Sequence, residues 1–201
     1  MTDFFETKAQ DWDQQQTQRL LSQAIGEVMS SLWAPPMQKP VMLDFGAGTG
    51  LLTEQMMPLA HHVIAVDTSP AMLAQLRQKT DLSHKVSVYC QDILQQPLAE
   101  TFDVIVSAMA LHHVANTAAL LKAFAAQLSP GGQILLADLD AEAGDFHPPE
   151  AEGVCHHGFD RVHLQHHIEQ AGFERVQWVT AHTIHKAGKA YPIFVVSAFK
   201  R

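Results

Sequence analysis

The chain has few cysteines, no long apolar run and a deficit of positive charge. Only Cys90 and Cys155 occur in 201 residues, the first in a strand that we expect to be buried and the second in a polar connector, so both are predicted to be free thiols. No apolar run approaches the ~20 residues of a membrane helix. Because 13 Lys and Arg face 21 Asp and Glu, the formal net charge is −8, which argues against nucleic-acid binding.

The N-terminus also lacks a secretory signal, since no basic stretch precedes an apolar block. We therefore expect a cytoplasmic protein. Apolar residues make up 47% and charged residues 17% of the chain, which together with its length predicts one globular domain over residues 1–201.

Hydrophobic spacing predicts a helix followed by an alternating pattern of strands and helices. An amphipathic helix over RLLSQAIGEVMSSLW ends at consecutive prolines, and residues 1–35 are interpreted as a helical cap. Short apolar runs bounded by turn residues indicate buried parallel strands with helical crossovers; these are VMLDFG, HHVIAVD, KVSVYCQD, FDVIVSAM and GGQILLADLD. The last two runs, FERVQWVTAHTIHKAG and AYPIFVVSAFKR, predict an antiparallel hairpin. The pattern is typical of a doubly wound α/β fold.

A glycine-rich turn follows the first strand in the sequence Asp44-Phe45-Gly46-Ala47-Gly48-Thr49-Gly50. Such a turn lets the backbone approach a ligand and directs helix N–H groups into the crevice at the strand ends. A dinucleotide fingerprint would need glycine where Leu51 stands, so the sequence disfavours an oxidoreductase.

Two further acidic residues end neighbouring strands. Asp67 follows the glycines at the distance from which a carboxylate can accept hydrogen bonds from ribose hydroxyls, and Thr68 starts the next helix beside it. Asp92 is placed to accept from an exocyclic amine, with Met72 and Ile93 as candidates to cover an adenine ring. The three strand ends predict one nucleotide-like site.

The ordered motifs LDFGAGTG, VDTSPAML, CQDILQQPL, FDVIVSAMALHHV and LSPGGQILLADLD resemble those of class I S-adenosylmethionine-dependent methyltransferases of the small bacterial type. The resemblance implies a Rossmann-like seven-stranded sheet in the order 3-2-1-4-5-7-6 with strand 7 antiparallel. It implies S-adenosylmethionine as cofactor, with Gly46 and Gly48 at its methionine part, Asp67 at the ribose and Asp92 at the adenine.

The same resemblance suggests roles for four more residues. Ala108 would lie beneath the sulfonium, and Asp44 would order the loop or the methionine amino group. The opening FFETKAQDWD is similar to a segment that folds over the cofactor in bacterial members, which makes Trp12 and Lys8 candidates to close the pocket.

The implied reaction is a direct in-line displacement, which needs a general base only if the acceptor carries a proton at neutral pH. His112 and His113 are candidate bases after the fourth strand, although local packing also explains histidines there. His157 is the candidate in the connector 138–162, which is interpreted as a substrate wall. His163, His166 and His167 share a helix, but neither ligand spacing nor a carboxylate cluster predicts a metal.

The acceptor itself is not encoded in a recognisable motif. The asparagine-proline-proline-aromatic type of motif that marks methylation of nucleic-acid bases is absent where Ser107-Ala108-Met109-Ala110 stands. We therefore expect a small-molecule acceptor, no nucleic acid and no membrane partner. Open alternatives are a protein side-chain acceptor, a non-catalytic regulator that binds the cofactor, and a metal-dependent methyltransferase.

Overall fold

The computed structural model describes residues 8–35, 39–82, 84–148, 151 and 153–201. Seven strands form one sheet in the order β3-β2-β1-β4-β5-β7-β6. Strands β1 to β5 pair in parallel, whereas β7 runs antiparallel to both β5 and β6. The predicted strand order and antiparallel hairpin are thus confirmed. The strands are β1 Val41–Phe45, β2 His62–Asp67, β3 Val86–Cys90, β4 Phe102–Ala108, β5 Leu128–Leu139, β6 Phe173–Lys186 and β7 Lys189–Lys200.

Helices connect the parallel strands and flank the sheet. The predicted amphipathic helix forms. It ends at Leu32, with Trp33 as its C-cap, shortly before Pro35. Ser69 and Asp160 cap later helices by accepting a hydrogen bond from a backbone N–H in the first turn. The helices are α1 Ala9–Trp12, α2 Gln16–Leu32, α3 Leu51–Met56, α4 Pro70–Gln78, α5 Thr117–Gln127 and α6 Arg161–Gln170, with 3-10 turns at Met57–Leu59, Thr80–Leu82 and Leu111–His113.

Both faces of the sheet are buried, which explains the near-continuous apolar runs. On one face, residues such as Leu43 and Ile105 pack with α5 and α6. On the other face, Met42 and Val104 pack with α2 and α3. Each fully buried aliphatic side chain of this kind contributes about 1.5–3 kcal/mol, so the two cores fix the strand ends from which the site is built.

The connector between β5 and α6 is tied to the β6–β7 hairpin. Ala187 and Gly188 make the hairpin turn with φ of 50° and 75°. Asp145 in the connector pairs with Lys189 and accepts a hydrogen bond of 2.9 Å from the Tyr191 hydroxyl. These contacts hold the connector beside the carboxyl end of β5.

Cys90 and Cys155 are both free and exposed. The prediction that Cys90 is buried is therefore wrong, because β3 is an edge strand and its last residues have no neighbour on the outer side. Among the residues that the structure describes, no helix is long and apolar enough to cross a membrane.

Candidate active site

A pocket of about 490 Å³ opens at the carboxyl ends of β1, β2 and β4. Its walls come from the glycine-rich turn, the start of α4, the loop after β3, the turn after β4 and one face of α2. A volume of this size holds a ligand of several hundred daltons. The pocket lies at the reversal of strand order between β1 and β4, where ligands bind in open α/β sheets.

The glycine-rich turn needs glycine for two different reasons. Gly46 has φ of 69°, and a Cβ there would lie 2.3 Å from the Ala110 Cβ. Gly48 has φ of 55°, but a Cβ there would meet no protein atom within 4 Å. Gly46 therefore allows close packing against the turn after β4, whereas Gly48 presents bare backbone to the pocket.

Asp44 is the buried carboxylate of the pocket wall, with 1% of its surface exposed. The Thr53 hydroxyl donates to Asp44 Oδ2 over 2.5 Å. Asp44 Oδ1 has no hydrogen-bond partner among the described residues. Burial raises the Asp44 pKa to about 7, an effect that the Thr53 hydrogen bond opposes and the Asp67 charge adds to.

The carboxylates at the ends of β2 and β3 are held by local hydrogen bonds. Asp67 Oδ2 accepts from the Gly48 N–H and Oδ1 from the Ser69 N–H, both over 2.8 Å. Asp92 accepts from the Leu94 N–H and from the Gln95 amide, both over 2.9 Å. Both carboxylates line the pocket, and a carboxylate oxygen can accept more than one hydrogen bond.

The structure brings most of the predicted cofactor residues to this pocket. Ile93 does not line it, because its side chain is fully buried in the core, and the next residue, Leu94, lines the pocket instead. Lys8 is half-buried and does not line the pocket. The predicted residues that do line it are Trp12, Asp44, Gly46, Gly48, Asp67, Thr68, Met72, Asp92 and Ala108.

The short helix α1 lies against the pocket beside the glycine-rich turn. Trp12 contributes to the wall, and Asp13 accepts a hydrogen bond of 2.5 Å from the Thr49 hydroxyl. Lys79 at the end of α4 pairs with Asp13 over 2.6 Å and with Glu54 over 2.7 Å. These polar contacts fasten the N-terminal helix to the glycine-rich turn.

The turn after β4 places one histidine in the pocket. Met109 adopts φ of 55°, a strained conformation for a residue with a side chain, and its N–H donates to Ala137 O over 2.9 Å. His113 lines the pocket, and its Nδ1 donates to Gly153 O over 2.8 Å. Burial lowers the His113 pKa, as does His112 beside it, whereas the bond to Gly153 and the Asp138 charge act in the opposite direction.

His112 and His147 stand behind His113. His112 Nδ1 is 2.8 Å from Asp138 Oδ1, and both side chains are almost fully buried. The ring centroids of His112 and His113 are 4.2 Å apart, and those of His112 and His147 are 4.9 Å apart. In the described part of the chain, Nε2 of His112 and of His147 have no hydrogen-bond partner. Burial, followed by the neighbouring His112 and His113, lowers the His147 pKa to about 4.

Only one of the three predicted catalytic histidines lines the pocket. His112 is buried against Asp138 and does not reach it. His157 is mostly exposed, with Nδ1 3.5 Å from Glu142 Oε1, because this part of the connector lies at the surface. The described connector residues do not line the pocket; instead Cys155 and His156 donate backbone N–H bonds to His112 O. The described connector residues thus support the turn after β4, and residues 149, 150 and 152 of the expected substrate wall lie outside the described chain.

Sequence reasoning missed Asp138, His147 and Asp13. Asp138 had a local signal, a carboxylate inside the apolar run ILLADL, which in a buried strand requires a partner. His147 and Asp13 had none, because their neighbours are set by folding of distant segments.

The exposed histidines of α6 do not converge. His166 Nε2 shares a hydrogen bond of 2.9 Å with the Gln170 amide, and His163 lies near Asp160. Within residues 8–35, 39–82, 84–148, 151 and 153–201, no group of three or more His, Cys, Asp or Glu side chains is arranged to hold a metal ion.

Comparison with known proteins gives similar sequences over the central part of the chain. A family model described as a methyltransferase domain matches residues 43–136. An uncharacterized methyltransferase of Schizosaccharomyces pombe is 29% identical over 58% of this chain and 47% of its own length. A ubiquinone biosynthesis O-methyltransferase of Bradyrhizobium diazoefficiens is 33% identical over 49% of this chain and 40% of its own length. The chain thus matches about half the length of these curated relatives.

A solved structure matches the fold over nearly the whole chain. The N-methyltransferase NodS from Bradyrhizobium japonicum, in complex with S-adenosyl-L-homocysteine, superposes with a TM-score of 0.73 at 18% identity. The match covers 98% of this chain and 99% of NodS. At 18% identity, this likeness shows that the two proteins share a fold and shows nothing more.

Proposed function

Residues 43–136 belong to the methyltransferase domain family, within a fold of the class I S-adenosylmethionine-dependent type, and on that premise we propose that this chain transfers the methyl group of S-adenosylmethionine to a small-molecule acceptor. The proposal includes the cofactor, the activity and the acceptor class. Core residues from α2 to β7 pack on the two faces of one sheet, which supports a single catalytic domain.

The observation that carries the proposal is the unpartnered oxygen of Asp44. A buried carboxylate oxygen without a partner is costly, and a ligand ammonium group would satisfy it. Asp44 lines the pocket together with Gly48, whose bare backbone leaves room for a chain of the size of methionine. The cofactor's amino group is the cation that fits this position.

The nucleoside part fits the ends of β2 and β3. Asp67 is placed to accept from the ribose hydroxyls and Asp92 from an exocyclic amine, because both carboxylates line the pocket. Met72 and Leu94 supply apolar surface for the faces of a purine, because both line this side of the pocket. This assignment places Ala108 and Met109 at the methyl end.

When bound, S-adenosylmethionine supplies an electrophilic methyl group with a good leaving group. The protein's contribution is alignment and exclusion of water. The strand ends hold the cofactor side, α1 and Trp12 cover it, and the turn after β4 with α2 encloses the other side. The pocket wall contains Asp44, Asp67 and Asp92 but, among the described residues, no Lys or Arg, which disfavours a polyanionic acceptor such as nucleic acid.

Calorimetric titration of cofactor-stripped protein with S-adenosylmethionine and S-adenosylhomocysteine tests the proposal. We expect saturable binding of both, weakened at least about 100-fold by Asp67→Ala, because the loss of charged hydrogen bonds costs about 1.5–3 kcal/mol each. Asp81→Ala, which removes an exposed carboxylate on the turn after α4, should bind as wild type.

The possible results distinguish the alternatives. Absence of binding in folded protein, or tighter binding of NADH, would refute the proposal. Binding without S-adenosylhomocysteine production over a panel of acceptors would favour a non-catalytic regulator. Turnover only with a protein substrate would replace the small molecule by a side-chain acceptor.

A further inference from the structure

The acceptor end of the pocket contains no charged side chain among its described residues. We define this end as the pocket residues of segment 108–116 and the facing residues of α2, namely Gln18, Leu21, Ser22 and Ile25. The three pocket carboxylates belong to the ends of β1, β2 and β3 instead. A buried ammonium or phosphate needs an opposite charge nearby, so this surface suits an uncharged reactant.

His113 is the titratable side chain of the acceptor end. Its Nδ1 lies 2.8 Å from Gly153 O, and a carbonyl oxygen can only accept a hydrogen bond. Nδ1 therefore carries the ring proton, which leaves the lone pair of the neutral imidazole on Nε2. A neutral histidine of this tautomer can take a proton from a reacting group.

Groups from three segments pack around His113, and they differ in their effect on its protonated form. His112 comes from the same turn, Asp138 from β5, and His147 and Cys155 from the connector. Asp138 is the carboxylate of this set, and its charge favours protonated His113 whereas burial and His112 oppose it. Asp138 also fixes His112, since it accepts from both the His112 ring and the His112 N–H.

We propose that the acceptor is an uncharged, largely apolar molecule that presents a hydroxyl group to His113, which acts as general base; this inference rests on the proposed function. The acceptor oxygen forms the new bond to the methyl carbon as the carbon–sulfur bond breaks and its electron pair stays on sulfur. The hydroxyl proton moves to His113 Nε2. Asp138 and His112 are positioning residues, because they act through His113 and do not line the pocket.

The first experiment compares probe acceptors in the wild-type protein. Catechol and 4-methylcatechol serve as uncharged hydroxyl probes, protocatechuate as a carboxylate analogue and phosphoethanolamine as an amine that also carries phosphate. We expect methyl ether formation with the uncharged probes and at least about tenfold lower kcat/KM with the two charged ones. Preferred turnover of a charged probe, or no turnover of uncharged probes in protein that binds S-adenosylmethionine, would overturn the inference.

The second experiment removes the base. His113→Gln should lower kcat at least about 100-fold, leave the Kd for S-adenosylmethionine within about threefold, and restore rate as rising pH ionises the catechol. His84→Gln, which changes an exposed histidine before β3, should match wild type. Unchanged kcat in His113→Gln would contradict the role of His113.

NMR of ¹⁵N-histidine-labelled protein gives a readout independent of activity. The resonance lost in His113→Gln identifies His113, and its nitrogen shifts should report a proton on Nδ1 at neutral pH and titration below about pH 6.5. A proton on Nε2 would contradict the inference even if S-adenosylmethionine binds. Failure to bind that cofactor would instead refute the proposed function.

Discussion

The two ends of the pocket differ in how far apart in the sequence their hydrogen-bonded residues lie. At the cofactor end, Asp67 bonds to residues 19 and 2 positions away, and Asp92 to residues 2 and 3 positions away. At the acceptor end, His112 bonds to a residue 26 positions away and His113 to one 40 positions away. Apart from α1, whose Asp13 bonds to Thr49, the cofactor end is thus contained in one stretch of the chain, whereas the acceptor end depends on segments folded back from the C-terminal part.

This difference coincides with the limits of the family match. The methyltransferase domain match ends at residue 136, before Asp138, His147 and Gly153. The residues that orient His113 therefore lie outside the matched segment. The pocket residues from Asp44 to Ala108, in contrast, lie within it.

The largest predicted effect comes from Asp138→Asn, which separates stability from cofactor binding. The substitution places an amide N–H₂ against the donors of His112 and Leu139, so we expect a loss of about 3 kcal/mol in the free energy of unfolding. Urea unfolding measures this loss. The exposed control Asp81→Asn should change it by less than about 0.5 kcal/mol.

If the two ends are independent, Asp138→Asn at a temperature where it remains folded should bind S-adenosylmethionine within about threefold of wild type. A loss of cofactor affinity as large as that of Asp67→Ala would contradict the separation of the two ends.

The next largest effect is expected for Gly48→Ala, and Gly131→Ala is its matched control. Both glycines have positive φ, at 55° and 73°, and a Cβ at either would meet no protein atom within 4 Å. Each substitution should therefore destabilise by about 1–2 kcal/mol through backbone strain. Only Gly48→Ala should also weaken S-adenosylmethionine binding, by at least about tenfold, since Gly131 lies at the opposite end of β5. Equal calorimetric affinities for the two variants would argue against a cofactor at the glycine-rich turn.

Asp44 makes cofactor affinity depend on pH. Its pKa of about 7 means that a cationic amino group must bind the ionised form, so affinity should rise about eightfold from about pH 6 to about pH 7.5. Asp44→Asn should abolish that slope in titrations at several pH values. A slope that persists in Asp44→Asn would assign the titration to another group.

The same ionisation affects the unliganded protein in the opposite direction. Native Asp44 keeps its proton up to about pH 7, whereas the unfolded chain releases it near pH 3.8. The native state therefore binds more protons in this interval, and the Asp44 contribution to the free energy of unfolding decreases as pH rises from about 4 to about 7. The free energy of unfolding, measured by urea titration, should therefore decrease more between these two pH values in wild type than in Asp44→Asn.

The smallest effect is expected at the contacts of α1. Lys79→Met removes the pairs with Asp13 and Glu54, whose side chains are 31% and 38% exposed, so solvent screening limits their value. We expect S-adenosylmethionine affinity to fall about two- to threefold, with less effect at high salt. Lys122→Met, at an exposed position of α5, is the control. A loss above about 20-fold would mean that α1 is a main determinant of the cofactor end.

The sequence was sufficient for the parts of the molecule that depend on local pattern. The parallel strands follow from runs such as VMLDFG and FDVIVSAM, and the hairpin follows from two adjacent runs joined at Gly188. Asp67 and the glycine-rich turn could be placed because a short loop fixes each relative to its strand. The order of the strands came from the family resemblance and not from periodicity.

Sequence alone could not decide which side chains face the pocket after a strand ends. Ile93 and Leu94 are both apolar, and only the turn built on Asp92 directs one inward and the other to the pocket. The two neighbours His112 and His113 also point to different environments, because Asp138 holds one and Gly153 the other.

The proposed placement of the cofactor can be checked in a crystal structure with S-adenosylhomocysteine. We expect the ligand amino group within hydrogen-bond distance of Asp44 Oδ1, the ribose hydroxyls on Asp67 and the sulfur near Ala108, on the side of the pocket that His113 lines. A ligand that lies elsewhere, or one that occupies this pocket with its amino group away from Asp44, would refute this placement.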